Sequence, residues 1–106
     1  MKHSQSYEEY VRQKITELRM KKDISEHRLS LELGKSDSYI RGITSGQSLP
    51  SLKELFNIIR YFELTPAEFF TGADHPDLLR TCVQRKLFDL SDEDLKKVSL
   101  FIDWIR

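Results

Sequence analysis

Ile24-Ser25-Glu26-His27-Arg28-Leu29-Ser30-Leu31-Glu32-Leu33-Gly34-Lys35-Ser36-Asp37-Ser38-Tyr39-Ile40 is the stretch on which the fold turns. Ser25 is placed to cap a helix, and Ile24 before it sits where a hydrophobic staple to Leu29 would set the angle of the incoming chain. Gly34, directly after Leu33, supplies the left-handed residue that ends such a helix, and Ser36 is placed to cap the next one. The spacing predicts two short helices across a tight turn, the second running from about Asp37 to Thr44 with Ile40 and Ile43 inward.

Upstream, Ser6-Tyr7-Glu8-Glu9 has the spacing of a capping box, and Val11, Ile15 and Leu18 follow at helical intervals, which predicts a first helix of about Tyr7 to Lys21. Downstream, Ser45-Gly46-Gln47-Ser48-Leu49-Pro50 is a loop. Ser51-Leu52-Lys53-Glu54 then opens a fourth helix carrying Leu52, Leu55, Ile59 and Phe62. Thr65-Pro66-Ala67-Glu68 opens a short fifth one with proline in its first turn, and Phe69 and Phe70 close the core.

Beyond Gly72, Ala73-Asp74-His75-Pro76 marks a joint. A sixth helix is expected over about Asp77 to Phe88, with Leu79, Cys82, Val83 and Leu87 as one apolar stripe. Ser91 caps a seventh, Leu90 and Leu95 form its staple, and Asp92, Glu93 and Asp94 stand at the positive end of its dipole. The expected class is all-α: a five-helix domain in residues 1–72, then two C-terminal helices in residues 73–106.

The totals suit this architecture. A chain of 106 residues has room for one domain and an appendage. With 39% hydrophobic and 32% charged residues and few Gly and Pro, it should fold rather than stay disordered. No apolar run approaches the length of a membrane span, and Met1-Lys2-His3-Ser4 leads into charge rather than a signal-peptide core, so a cytoplasmic location is expected. Cys82 is the one cysteine, which excludes an intrachain disulfide; its expected role is a small buried apolar residue. His3, His27 and His75 are too far apart to suggest a metal site. Without a Gly-rich phosphate loop, a metal constellation or a nucleophile-base signature, the sequence points to no enzyme and no cofactor.

The formal net charge is zero, but residues 1–60 hold 11 Lys and Arg against 8 Asp and Glu, and residues 61–106 hold 6 against 9. The halves therefore carry +3 and −3, which puts any electrostatic footprint for an anionic partner in the first.

Helix, tight turn with glycine, second helix is the arrangement whose second helix lies in the DNA major groove. At the level of residues, the stretch from Ile24 to Ile40, followed by Ile43-Thr44-Ser45-Gly46, Leu49-Pro50-Ser51-Leu52 and Leu64-Thr65-Pro66-Ala67-Glu68-Phe69-Phe70, resembles the XRE-type, lambda-repressor-like helix-turn-helix family. That resemblance implies a five-helix domain, double-stranded DNA as ligand, no cofactor, a homodimer on a two-fold operator and a role as a transcriptional regulator, read here as a repressor; no small-molecule ligand is evident in the sequence. Three positions depart from the family's habit. Glu26 stands where Gln is frequent, Ser30 where Ala is usual, and Thr44 where a Glu commonly pairs with the arginine matched by Arg19. A carboxylate at position 26 is repelled by a phosphate unless it points away. A protein-interaction module with a degenerate motif, and the antitoxin of a toxin-antitoxin pair, are the alternative readings.

With Ile40 and Ile43 inward and about 100° per residue, the opposite side of the third helix carries Ser38, Arg41, Gly42 and Ser45. These are the candidate base readers. Arg41 has the fork for guanine O6 and N7, Ser38 and Ser45 can donate or accept, and Gly42 allows a close approach of the backbone. Asp37 suits either cytosine N4 or the helix dipole. Contacts to the DNA backbone are expected from Ser25, His27, Lys35, Ser36, Gly46, Gln47 and Ser48, and from Tyr39, which also suits packing over the turn. Lys21 and Lys22 are read as solvated.

Around the seventh helix, Leu95, Val98, Phe101, Ile102 and Ile105 fill one arc, while Leu100 and Trp104 lie on the far side. A small domain covers one face of such a helix, so a second copy is the expected partner, with Leu100, Phe101, Trp104 and Ile105 at the interface. The competing possibility is that the fourth and sixth helices cover both.

Overall fold

Most of the expected caps exist as hydrogen bonds in the structure, a computed structural model that describes residues 5–74 and 77–106. Met1-Lys2-His3-Ser4, on which the absence of a signal peptide was read, and His75-Pro76 of the expected joint lie outside the described residues. Every regular element among the described residues is a helix: α1 (Tyr7–Lys21), α2 (Glu26–Glu32), α3 (Tyr39–Thr44), α4 (Leu52–Tyr61), α5 (Pro66–Phe70), α6 (Leu79–Phe88) and α7 (Asp92–Ile105).

The starts are local chemistry. Ser6 with Glu9, Ser51 with Glu54 and Thr65 with Glu68 each form a complete capping box, and Ser25 and Ser91 accept from the amides of Arg28 and Asp94. The ends follow one rule as well. The last carbonyls of α1 to α4 accept amides from the two residues just past each helix's capping residue, and the first of these two is left-handed: Asp23 at φ 57°, Gly34 at 76°, Gly46 at 92° and Glu63 at 60°. Glycine takes this conformation at no steric cost, whereas Asp23 and Glu63 carry a Cβ into it.

The core is built by the first five helices. Ile15, Leu29, Ile40, Ile43, Ile58, Ile59 and Phe69 are fully buried, and each such side chain contributes on the order of 1.5–3 kcal/mol relative to exposure. The Tyr10 hydroxyl donates to the Phe69 carbonyl at 2.6 Å, fastening α1 to α5 across the domain.

Several expectations need correction. The third helix is shorter than Asp37 to Thr44: α3 begins at Tyr39, with Asp37 and Ser38 in a turn before it. Ser36 does not cap it; its carbonyl accepts the Tyr39 amide at 3.1 Å, and the capping position belongs to Ser38, whose side chain makes no capping bond. The reason is tertiary. The Ile40 amide, which a local cap would serve, is taken by the hydroxyl of buried Ser30 at 3.0 Å, and that hydroxyl donates in turn to the Glu26 carbonyl at 2.8 Å. On α4, Leu52 is exposed and Ile58 fills the core beside Leu55 and Ile59, while Phe62 is only the capping residue, packed partly against the core. Phe69 closes the core; Phe70 is partly exposed and stacks on Tyr10 at 6.1 Å between centroids.

The C-terminal helices depart most. α6 starts at Leu79 rather than Asp77, and its buried residue is Thr81. Of the expected stripe, Leu79 and Val83 are exposed and Cys82 and Leu87 half-buried. α7 has no buried residue: Leu95 and Val98 are half-covered, and Leu100, Phe101, Ile102, Trp104 and Ile105 are all exposed. The radius of gyration is 16.5 Å, against about 13 Å for a compact chain of this length, because these helices add little to the five-helix core. Among the described residues, no helix is long and apolar enough to cross a membrane.

Candidate nucleic-acid interface

The beginning of α2 and the approach to α3 enclose an open groove lined by Arg19, Ser25, Glu26, His27, Asp37, Ser38 and Arg41. The sequence motif thus brings Asp37, Ser38 and Arg41, expected at bases, beside Ser25 and His27, expected at the DNA backbone. Gly42, Ser45, Gly46, Gln47 and Ser48 gather at the far end of α3. Ser45 donates to the Gly42 carbonyl at 3.3 Å, and the amides of Gln47 and Ser48 converge on that same carbonyl at 3.0 and 3.1 Å. Left-handed Gly46 makes this reversal possible. A Cβ at Gly42 would lie 3.4 Å from the Ser48 hydroxyl, so the glycine also keeps the loop close. Apart from half-buried Lys35, Tyr39 and Gly42, the candidate residues are exposed.

One network dominates the groove. Arg41 Nε donates to Glu26 Oε1 at 2.7 Å, and Thr44 Oγ1 donates to Glu26 Oε2 at 2.8 Å. The Arg41 hydrogen bond is the main cause holding the Glu26 carboxyl below the usual carboxylate range, with the Thr44 hydroxyl and the nearby Arg19 charge acting in the same direction. Glu26 and Thr44, two separate departures from the family's habit, are therefore one feature: the carboxylate stands at 26 and its hydroxyl partner at 44. Arg19, without a glutamate at position 44, donates through Nη1 to the Ile24 carbonyl at 2.9 Å, while its buried Nε has no hydrogen-bond partner among the described residues.

Lys35 and Tyr39 are also held. Glu54, already the capping-box residue of α4, accepts from Lys35 Nζ at 3.0 Å and from the Tyr39 hydroxyl at 2.9 Å. The lysine, the Ser51 amide and the tyrosine together pull its carboxyl down to about 2, while burial and this carboxylate push the Tyr39 hydroxyl well above the ordinary tyrosine value. Lys35 and Tyr39 consequently fix α3 against the start of α4. On the other side, Glu32 accepts from Arg28 and from the Tyr61 hydroxyl, and the Lys22 ammonium sits 5.1 Å from the Tyr61 ring centroid, so Lys22 is not simply solvated.

Sequence reasoning missed the hydroxyl bridge of Ser30, the Glu26 network, the double use of Glu54, and Arg12, whose Nε donates to the Ile43 carbonyl at 2.9 Å. Each links residues ten or more positions apart, where helical spacing carries no signal; only the capping role of Glu54 was visible locally.

A family model described as helix-turn-helix matches residues 15–69, more than half of the chain. No curated protein and no solved structure matches it.

Proposed function

The chain belongs to the XRE-type, lambda-repressor-like helix-turn-helix family of DNA-binding transcription regulators, and from that premise we propose that it acts as a homodimeric repressor of a two-fold operator. α3 enters the major groove, with Asp37, Ser38, Arg41, Gly42 and Ser45 toward the bases. Ser25, His27, Lys35, Ser36, Gly46, Gln47 and Ser48 take up positions along the phosphates, while Tyr39, whose hydroxyl proton is given to Glu54, packs over the turn. The observation that carries this reading is Arg41, whose side chain is 74% exposed in the groove formed by α2 and the approach to α3. Glu26 adds support: its charge is met by Arg41 and Thr44 inside the protein, which removes the repulsion that motivated a degenerate, protein-binding alternative.

The dimer rests on α7. Leu100 and Trp104, at 69% and 77% exposure, and Phe101 and Ile105 beside them leave the C-terminal half of the helix without cover on either side. Contiguous apolar surface of this kind marks an interaction site, and the same helix of a second copy satisfies both partners with one patch. On a two-fold operator the two copies of α3 would need to lie one helical turn of DNA apart, roughly 34 Å.

Selection of bound sites from random duplex, followed by titration at several salt concentrations, tests the reading. A palindromic consensus whose recognition weakens in Arg41→Ala is the expected result. Binding no tighter to any selected site than to random duplex would sink it.

A further inference from the structure

The Glu26–Arg41 pair raises a question that a DNA-binding role does not answer by itself: why the most exposed cation of the groove is held by an anion. The atoms engaged give the answer. Glu26 takes only Arg41 Nε, and among the described residues Nη1 and Nη2 make no hydrogen bond. Glu26 is 20% exposed and anchored from behind by Thr44, so the carboxylate sits at the base of the groove while the end of the guanidinium projects from it. The pair does not hide the arginine: its side chain stays 74% exposed, with Nη1 and Nη2 unengaged among the described residues.

We propose that Glu26 is a positioning residue for base recognition: it locks Arg41 so that Nη1 and Nη2 face the major-groove edge of a guanine, with Thr44 fixing the carboxylate's other oxygen. This rests on the reading of α3 as the recognition helix. Guanine alone offers two adjacent acceptors, O6 and N7, on that edge; adenine replaces one with an amino donor, and cytosine and thymine lack the pair. An arginine free on its long stem must lose rotamer freedom before making both bonds, and one already held by Nε loses less. The carboxylate acts on the competing complex too. It reduces the positive charge presented to phosphates, which weakens sequence-independent binding while leaving the guanine contact intact.

These effects have a signature that a merely structural role lacks, because one substitution should move specific and non-specific binding in opposite directions. The experiment uses the full chain and the site selected by the wild-type protein, with all four base pairs placed in turn at every position and random duplex as competitor. The wild type should prefer guanine at one position of each half-site by on the order of ten- to a hundredfold, and Arg41→Ala should equalise the bases there and nowhere else. Glu26→Gln, which keeps the shape and removes the charge, should narrow that same preference by about three- to tenfold and tighten binding to random duplex. Thr44→Val should act in the same direction but less, and Arg41→Lys should retain non-specific affinity without guanine preference.

If Arg41→Ala abolishes the preference while Glu26→Gln leaves it unchanged, the positioning role is wrong and the recognition helix stands. A uniform loss at every position in Glu26→Gln, with a lowered unfolding midpoint, also overturns it in favour of a structural role. If the wild type selects no site, or Arg41→Ala relaxes no position, the recognition reading itself fails and the inference falls with it.

Discussion

The hydroxyl of Ser30 accepts the amide of Ile40 at 3.0 Å, across the turn that joins α2 to α3, and donates to the Glu26 carbonyl at 2.8 Å. One fully buried oxygen thereby caps α3 from the neighbouring helix. Ser30→Ala leaves the Ile40 amide buried without its acceptor, which costs about 1–3 kcal/mol. Urea unfolding should show a lower midpoint with an unchanged slope; a midpoint equal to the wild type would mean that the amide finds another acceptor.

Acid should loosen the α3–α4 junction. Glu54 titrates at about 2 in the folded protein, held down first by Lys35, and at about 4.3 when unfolded. A depressed folded value means that the unfolded chain binds the proton first. The stabilisation is therefore complete above about pH 4.3 and is lost as pH falls toward 2. Glu54→Gln should flatten the fall in melting temperature across that window without removing it, since Glu26 and Glu32 are depressed as well. An unaltered slope in Glu54→Gln would show that the pair with Lys35 contributes nothing.

The left-handed residues after α1 and α4 offer a contrast within one molecule. Glu63 at φ 60° is exposed and has a Cβ in a conformation that glycine adopts freely. Glu63→Gly should gain roughly 0.5–1 kcal/mol, Asp23→Gly less because aspartate tolerates this region better, and Gly34→Ala should lose about 1 kcal/mol. Denaturant midpoints of the three variants test the order; a stabilised Gly34→Ala would contradict it.

Trp104 is the sole tryptophan of the chain, so its fluorescence reports the proposed interface directly. Stacked on Phe101 at 5.6 Å and mostly exposed in one chain, it should shift to shorter emission wavelengths as concentration rises and copies associate. Sedimentation should give a dimer for the wild type and a monomer for Leu100→Glu, with operator affinity reduced in the variant. A monomeric mass and constant emission across the micromolar range would exclude α7 as a dimer element.

The helices, their order and nearly all their caps were legible because those signals are short. Ser6 with Glu9, Ser51 with Glu54 and Thr65 with Glu68 each act over three residues, and Gly34 ends α2 where the spacing places it. The start of α3 was misplaced because its Ile40 amide is served by Ser30, ten positions earlier. On α6, periodicity identifies an apolar stripe without saying what lies opposite it, and the structure turns Thr81 to the interior instead. Glu26 and Thr44 looked like unrelated departures when each position was weighed alone.

By itself, then, the sequence determined the all-helical class, the helix-turn-helix order and the family, since capping boxes, left-handed stops and 3.6-residue periodicity are properties of neighbouring residues. The tertiary structure decided where α3 begins, which side of α6 is buried, that α7 stays uncovered within one chain, and that Arg41 is held by Glu26. Those outcomes depend on hydrogen bonds and packing between residues far apart along the chain, whose partners exist only once the helices have docked.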